Sequence, residues 1–380
     1  MRVLHCIPHL IHGGAQRQLA LIAAEHARAG HDVHIALVYQ GPNAALLHGT
    51  AARIHEVGNG NRRNPRIVLQ LIRLVRTLQP DIVQTWLMPM DVVGGMAALA
   101  AGVPWILSER ASRDAYEKSW RNRVRVAAGR RATAIVSNSE AGDLYWGALA
   151  PPSMRRFVVP NGVPLQEIAA AQPNRGHFEI PTGAPVILFV GRLVEQKNVL
   201  GLLRALPSVF TATTAHVVVV GDGPQRTDAV EAIERLRLSG RVHLAGFRSD
   251  VWNLMKGADV FVSPSFFEGH PNTVLEAMAC GCAVVVSDIG EHREFLDESC
   301  ARLVAPRDST RLAEALVDTL AARDAARNRA GAALARVSQW SVARTARQYE
   351  DIYAAVAGAR LISAGAVNQP AARRPADQTP

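Results

Sequence analysis

The chain is 380 residues long, with 48% apolar and 20% charged residues and a formal net charge of +9. That length exceeds one ordinary hydrophobic core and predicts two domains of roughly 150 to 200 residues each, in a composition typical of soluble globular proteins. A membrane-spanning helix is excluded, because no stretch approaches the roughly 20 uninterrupted apolar residues that cross a bilayer.

The opening "MRVLHCIPHLIHGG" is briefly apolar, but His5, Pro8, His9 and His12 interrupt it and no small-residue cleavage site follows. It does not read as a signal peptide, and a cytoplasmic location is expected. Within it "RVLHCI" (2–7) predicts a strand, Gly13 and Gly14 a loop, "AQRQLALIAAEHARAG" a helix stopped by Gly30, and "DVHIALV" the next strand. The pattern repeats with a helix near "PRIVLQLIRLVRTLQ", a strand at "DIVQTW", a helix at "VVGGMAALAAG" and strands at "PWILS" and "TAIVS". From 158 to 185 the chain turns rich in Pro and Gly and loses periodicity, as a linker does. Alternation then restarts with "PVILFVG", a helix from about Asn198, "HVVVVG", a helix from about Pro224, "VHLAG", a short helix at "DVWNLMKG", "DVFVS", a helix from about Asn272 and "AVVVS". Such alternation predicts α/β architecture: two doubly wound, Rossmann-like domains in series, each a parallel sheet covered by helices on both faces. The expected boundaries are 1–172 and 173–338, then a helix over 339–357 packing back on the first domain, then a disordered tail, 358–380. Open α/β sheets bind ligands outside the carboxyl ends of their strands, so motifs from both halves should converge on one central cleft.

Four cysteines, Cys6, Cys280, Cys282 and Cys300, lack CxxC spacing and are expected as reduced, buried thiols. Arginines cluster in "NRRNPR" (61–66), "RNRVRVAAGRR" (121–131) and "MRR" (154–156). Such clusters fit either an anionic partner or solvated helix faces.

The stretch "EGHPNTVLEAMACG" (268–281) carries two acids, Glu268 and Glu276, around a Pro and a helix start. A helix beginning at Asn272 turns free N–H groups, with Gly269, His270 and Thr273 beside them, toward the cleft and makes a ready phosphate site. A carboxylate repels phosphate, so the two glutamates are expected to hold neutral hydroxyls, such as those of sugars. Taken singly, a glycine pair is a tight turn, a lone Arg or Lys a solvated charge, and two glutamates a capped surface helix. Their joint, ordered occurrence is what points to a site.

The segment "PSFFEGHPNTVLEAMACGCAVVVSDIGEHREFL" resembles the signature of retaining glycosyltransferases of family 4, which have the two-domain GT-B fold and an E-x7-E motif. The resemblance implies that Glu268 approaches hydroxyls of the donor sugar and that Glu276 holds the ribose hydroxyls of the nucleotide. "FVGRLVEQKN" is similar to the family's G-R-L-x-x-x-K segment, which implies Arg192 and Lys197 on the donor diphosphate. "VVVVGDGPQR" matches the second domain's Gly-rich turn, and the loop with Phe247 and Arg248 would border the base. "VPNGV" (159–163) matches the junction between domains, and "GGAQRQL" the glycine loop, where Gly13 and Gly14 would approach donor phosphate or acceptor. The resemblance runs to about Val356 and assigns the acceptor to the first domain and the nucleotide sugar to the second. Where many members have a histidine near the donor sugar, "LSERAS" (107–112) carries Glu109 and Arg110. Arg110 would contact donor or acceptor but cannot serve as base, since it stays protonated. The general base stays unassigned, which fits the family's front-face route, in which the leaving phosphate takes the acceptor proton.

No Asp-x-Asp motif stands ready to hold a divalent metal, so Arg192, Lys197 and a helix N-terminus are expected to neutralise the leaving group, an effect in which one donor contributes about 100- to 1,000-fold. No cofactor or metal is expected; the resemblance implies a UDP-sugar or GDP-sugar as donor, UDP first because the family most often uses it. The acceptor is expected to be a glycan or lipid-linked sugar, and the first domain's arginines would meet an anionic membrane surface. His5, His9 and His12 lack a metal-binding partner motif and read as loop polarity or acceptor contacts. A nucleotide-sugar epimerase or phosphorylase would lack this spacing. A nucleic-acid-binding protein leaves the two glutamates unexplained and shows no RRM, KH or helix-turn-helix signature, so no nucleic acid is expected. "GDGPQR" is no GxGxxG opening of a dinucleotide oxidoreductase.

Overall fold

Val-rich runs such as "HVVVV" and "AVVVS" carry side chains that are stiff at χ1 and suit a pleated surface covered on both faces, and both form fully buried strands. A computed structural model describes residues 1–61, 64–116, 119–175 and 178–367. The first sheet is built from β1 (Arg2–Cys6), β2 (Asp32–Leu37), β3 (Arg53–Glu56), β4 (Ile82–Trp86), β5 (Trp105–Glu109), β6 (Ala134–Ser137) and β7 (Arg155–Val158), in the order β3-β2-β1-β4-β5-β6-β7. The second holds β8 (Val186–Val190), β9 (His216–Val220), β10 (Val242–Gly246), β11 (Val260–Ser263), β12 (Ala283–Ser287) and β13 (Arg302–Val304), in the order β10-β9-β8-β11-β12-β13. Neighbouring strands run parallel in both, as Val3 opposite Ile82 and Ile187 opposite Val260 illustrate. The architecture is therefore α/β with two doubly wound parallel sheets.

Strand order reverses between β1 and β4 in the first sheet and between β8 and β11 in the second. Loops leaving two strands that head apart open a crevice at their carboxyl ends. The glycine loop follows β1, the Arg192–Lys197 segment follows β8, and Glu268 follows β11, so all three flank a reversal point.

Each sheet carries a hydrophobic layer on either face. Leu19, Ile22, Val33 and Ile106 lie in one layer of the first sheet and Leu71, Val75 and Trp105 in the other. Leu202, Leu206 and Val217 oppose Leu275, Met278 and Phe261 in the second. The last helix, Val342–Val367, returns to the first sheet: Tyr349, Ile352, Tyr353 and Val356 join its core, and His26 Nε2 meets Ala346 O at 3.0 Å. This helix runs past residue 358, where a disordered tail was expected; residues 368–380 lie outside the described residues.

Three strands escape the hydrophobic reading: β3 (RIHE), β7 (RRFV) and β13 (RLV) are short edge strands of mixed polarity. Edge strands have one free side and need no apolar run. The expected linker also holds structure, a helix over Leu165–Ala170 and a parallel bridge from Val163 to Ser341.

Candidate active site

The turn after β8 and the turn after β9 touch backbone to backbone. Gly221 has φ 132°, and a Cβ there would sit 1.9 Å from Gly191 O, so only glycine lets the two loops meet. Leu193 N is bonded to Asp222 O at 3.0 Å, which fixes the segment carrying Arg192 and Lys197. Arg192 is exposed, and Lys197 ends a single 3-10 turn, Glu195–Lys197. Lys197 Nζ donates to Glu268 Oε1 at 2.5 Å, with Glu268 buried in the loop after β11. Glu268 N in turn faces Glu291 Oε1 at 3.4 Å. The structure thus brings the lysine and the first acid together.

The helix after this loop is Asn272–Ala279, with Pro271 at its N-cap and Cys280 at its C-cap. Its apolar side, Val274, Leu275 and Met278, is fully buried, which turns the opposite face outward with Thr273 half-buried. Glu276 is 6% exposed, and its Oε2 accepts from Trp252 Nε1 at 3.0 Å. Arg17 Nε, from the helix Gly14–Arg28 of the first sheet, lies 3.7 Å from Glu276 Oε1. Phe247 is 57% exposed and its ring lies 3.9 Å from that of His12, centroid to centroid. Arg248 is turned aside, bidentate to Asp250 at 2.8 and 2.7 Å.

The two halves meet through amides. Asn272 Nδ2 donates to Gly14 O at 3.2 Å, and its Oδ1 accepts from Asn161 Nδ2 at 2.6 Å and Gln18 Nε2 at 3.2 Å. A Cβ on Gly14 would lie 3.0 Å from Asn272 Nδ2, and one on Gly269 would lie 2.7 Å from Arg110 O. Asn161 N donates to His270 Nδ1 at 3.1 Å, so that nitrogen is unprotonated, and burial holds the His270 imidazole down to about 3. Gly13, the N-cap residue of the first helix, Gly14, Gly269, His270 and Asn272 therefore stand at one junction, eight residues or fewer from Glu268 or Glu276 in the case of the last three.

Arg110 is committed to this junction: its Nη2 donates to Asn161 Oδ1 and its guanidinium lies 5.0 Å from the Trp86 ring centroid. Glu109 beside it is fully buried, with Oε1 accepting from Arg110 N at 2.8 Å, Ala111 N at 3.1 Å and Tyr116 Oη, and Oε2 accepting from Trp146 Nε1 at 2.8 Å and Arg125 Nη1 at 2.9 Å. Arg125 also donates to Asp91 Oδ2 at 2.6 Å. One member of the 121–131 basic cluster is thus an interior cation; Arg121, Arg123, Arg130 and Arg131 are exposed. Arg156 pairs with Asp143 and Arg155 caps Ala355 O, while Arg62 and Arg63 lie outside the described residues.

The first-strand histidines diverge. His5 is buried, accepts from Trp86 Nε1 at 3.2 Å and is held down to about 3 by burial, and then by His26; His9 stacks on Tyr39. Among the described residues no group of three or more His, Cys, Asp or Glu converges as metal ligands do. Sequence reasoning missed Arg17, Gln18, Asn161 and Trp252. Arg17 and Gln18 lie in "GGAQRQL", Asn161 in "VPNGV" and Trp252 in "DVWNLMKG", but nothing in their spacing tells a cleft contact from a surface or core residue.

Comparison with known proteins follows the same outline. The family described as Glycosyltransferase Family 4 matches residues 12–167, and that described as Glycosyl transferases group 1 matches residues 184–322. A UDP-Gal:alpha-D-GlcNAc-diphosphoundecaprenol alpha-1,3-galactosyltransferase of Escherichia coli is 30% identical over 60% of this chain and 62% of its own length. A phosphatidyl-myo-inositol mannosyltransferase of Mycobacterium leprae is 35% identical over 52% of this chain and 53% of its own. The chain thus spans between half and two thirds of the length of these curated relatives. Among solved structures, that of HepE from Anabaena in complex with UDP and glucose superposes with a TM-score of 0.84 at 21% identity, over 93% of this chain and all of that one, a likeness of fold.

Proposed function

The chain belongs to the family 4 glycosyltransferases of GT-B fold, and from that premise we propose that it moves a sugar, with retention, from a nucleoside diphosphate to a hydroxyl of a glycan or lipid-linked acceptor. The observation that carries this reading is the Lys197–Glu268 pair in the loops beside the reversal point of the second sheet, with Glu276 on the helix that follows. UDP is the favoured nucleotide: HepE is bound to UDP in the similar structure, and the E. coli relative uses UDP-Gal by name.

In this reading Glu276 accepts hydrogen bonds from ribose hydroxyls and Glu268 from a sugar hydroxyl, while Arg192 and Lys197 face the diphosphate. Lys197 now neutralises Glu268; a bound diphosphate would draw the ammonium toward its developing charge and leave Glu268 for the sugar. As the bond from the anomeric carbon to the diphosphate oxygen breaks, the acceptor oxygen bonds that carbon on the same face and its proton passes to the leaving oxygen. No protein base is required, and Arg110, bonded to Asn161 and close to the Trp86 ring with its Nε still buried without an acceptor, is proposed to contact donor or acceptor. The reaction is proposed to need no metal.

The first domain is proposed to dock at an anionic membrane surface through Arg66, Arg121, Arg123, Arg130 and Arg131, which are exposed. Among the described residues no helix is long and apolar enough to cross a membrane. The acceptors in the names of the E. coli and M. leprae relatives, a diphosphoundecaprenol sugar and a phosphatidylinositol, support a lipid-linked acceptor.

A donor hydrolysis screen with UDP- and GDP-sugars tests the main reading. Release of free sugar from at least one donor is expected, lost in Glu268→Ala, and a purified protein that hydrolyses none and binds neither UDP nor GDP contradicts it.

A further inference from the structure

The expected ribose acid is shared by side chains from both halves of the chain. Trp252 Nε1 holds Glu276 Oε2 at 3.0 Å, and the Arg17 guanidinium lies 4.9 Å from the Trp252 ring centroid, within cation–π range. Arg17 belongs to the first turn of its helix, its N–H bonded to Gly13 O at 3.0 Å, so its side chain reaches from the glycine loop of one sheet to the helix after β11 of the other. At 3.7 Å the Arg17 Nε to Glu276 Oε1 separation exceeds hydrogen-bond length, and Nε is buried with no acceptor.

A buried N–H without a partner is an unfavourable arrangement, and here it stands beside a carboxylate that is itself only half engaged. The pair presents a donor and an acceptor to the same point. A hydroxyl group matches that combination, since its O–H donates to the carboxylate while its oxygen accepts from the guanidinium. Neither an ammonium of the ligand, which Arg17 repels, nor a phosphate, which Glu276 repels, matches it as well.

We propose that Arg17 is a donor-binding residue supplied by the first domain: it donates to a ribose hydroxyl oxygen of the nucleoside diphosphate whose proton Glu276 accepts, so that the bound ribose ties the two domains together. This rests on the sugar-transfer reading and adds the first domain's part in nucleotide recognition.

Calorimetry with UDP and GDP identifies the nucleotide that the wild type binds, and the same nucleotide and its monophosphate are then titrated into Arg17→Ala and Arg17→Met. Methionine keeps an apolar stem against Trp252 and removes the charge. Both variants are expected to melt with the wild type, because the Arg17 side chain is 27% exposed, and to bind both nucleotides about tenfold more weakly. Affinity within twofold of wild type in the two variants overturns the proposal. Tighter binding also overturns it, since Arg17 would then only occupy Glu276 in the nucleotide-free protein. A loss confined to the diphosphate puts the guanidinium on the terminal phosphate and rejects the ribose contact. If the wild type binds neither UDP nor GDP, the sugar-transfer reading itself fails and takes this proposal with it.

Discussion

Replacing Arg125 with Met is expected to destabilise the first domain by about 3–5 kcal/mol, the usual loss when one partner of a buried ion pair is removed. The Arg125 side chain is 3% exposed and those of Asp91 and Glu109 are fully buried. The guanidinium also packs 5.0 Å from the Tyr116 ring centroid and 5.5 Å from that of Trp146. Methionine retains most of the apolar stem but leaves two carboxylates together in the interior. Glu109 keeps four other donors, whereas Asp91 Oδ1 already lacks a partner, so Asp91 is the group that must take up a proton. Burial already pushes the Asp91 carboxyl up, and Arg125 is the main influence pulling it down. In the variant the folded-state value rises further above the unfolded one, so the protonated form's contribution is present at low pH and lost as pH rises. The stability deficit is therefore larger at pH 8 than at pH 5. Urea unfolding followed by tryptophan fluorescence at both pH values measures it, with Trp146 in direct contact with the cluster. A deficit under about 1 kcal/mol at pH 8, far below the buried-pair range, or one independent of pH, would refute the assignment of Arg125 as the neutralising charge of this core.

Three further outcomes are expected. Glu276→Ala should weaken UDP or GDP binding by calorimetry while leaving the melting temperature near wild type, and unchanged affinity would remove Glu276 from the site. Lys197→Ala should lower turnover by about 100-fold or more, with wild type keeping its activity in EDTA; loss of wild-type activity on chelation points to a metal-assisted mechanism instead. On vesicles containing anionic lipid the wild type should float at low salt and be released at high salt, with each nearby basic residue worth about 1 kcal/mol; a protein that stays in the soluble fraction at low salt has another docking surface.

The parts of the fold that were legible in the sequence are those whose burial is two-sided. "HVVVV" and "AVVVS" announce central strands because both faces need apolar side chains, and the order of such strands predicts the doubly wound sheets. Edge strands β3 and β7 carry Arg, His and Glu, and no period separates them from loops. Charge misleads in a similar way: Arg125 sits in a run of arginines whose other members are exposed, and only the three-dimensional position of Asp91 and Glu109 distinguishes it. Glu268, Glu276 and Lys197 stood out through their resemblance to a known pattern. The residues that support them, Trp252 beneath Glu276 and Asn161 between Arg110 and Asn272, belong to contacts 24 or more positions apart in the chain, which no local spacing encodes.

The chain passes between the sheets twice, and the two passages are tied side by side: Val163 N donates to Trp340 O at 2.7 Å and Val342 N to Val163 O at 3.2 Å. Beyond that tie, the halves touch largely through hydrogen bonds, several of them converging on Asn161 and Asn272, with the His12 and Phe247 rings also in contact. Asn272 meets Gly14 O, and Glu294 accepts from the N–H groups of Glu140 and Ala141 at 3.0 Å each. Each such bond contributes only about 0.5–1.5 kcal/mol net, because water replaces it when the surfaces part. The last helix behaves differently, since Tyr349, Tyr353 and Val356 are almost wholly buried against the first sheet and would expose a large apolar area on leaving it. That helix therefore packs as part of the first domain, and a rotation of one sheet against the other would turn at the paired passages near Val163 and Ser341. Arg17 and Glu276 come from opposite domains and stand 3.7 Å apart, so a ligand held by both would act on the domain arrangement as well as on its own orientation.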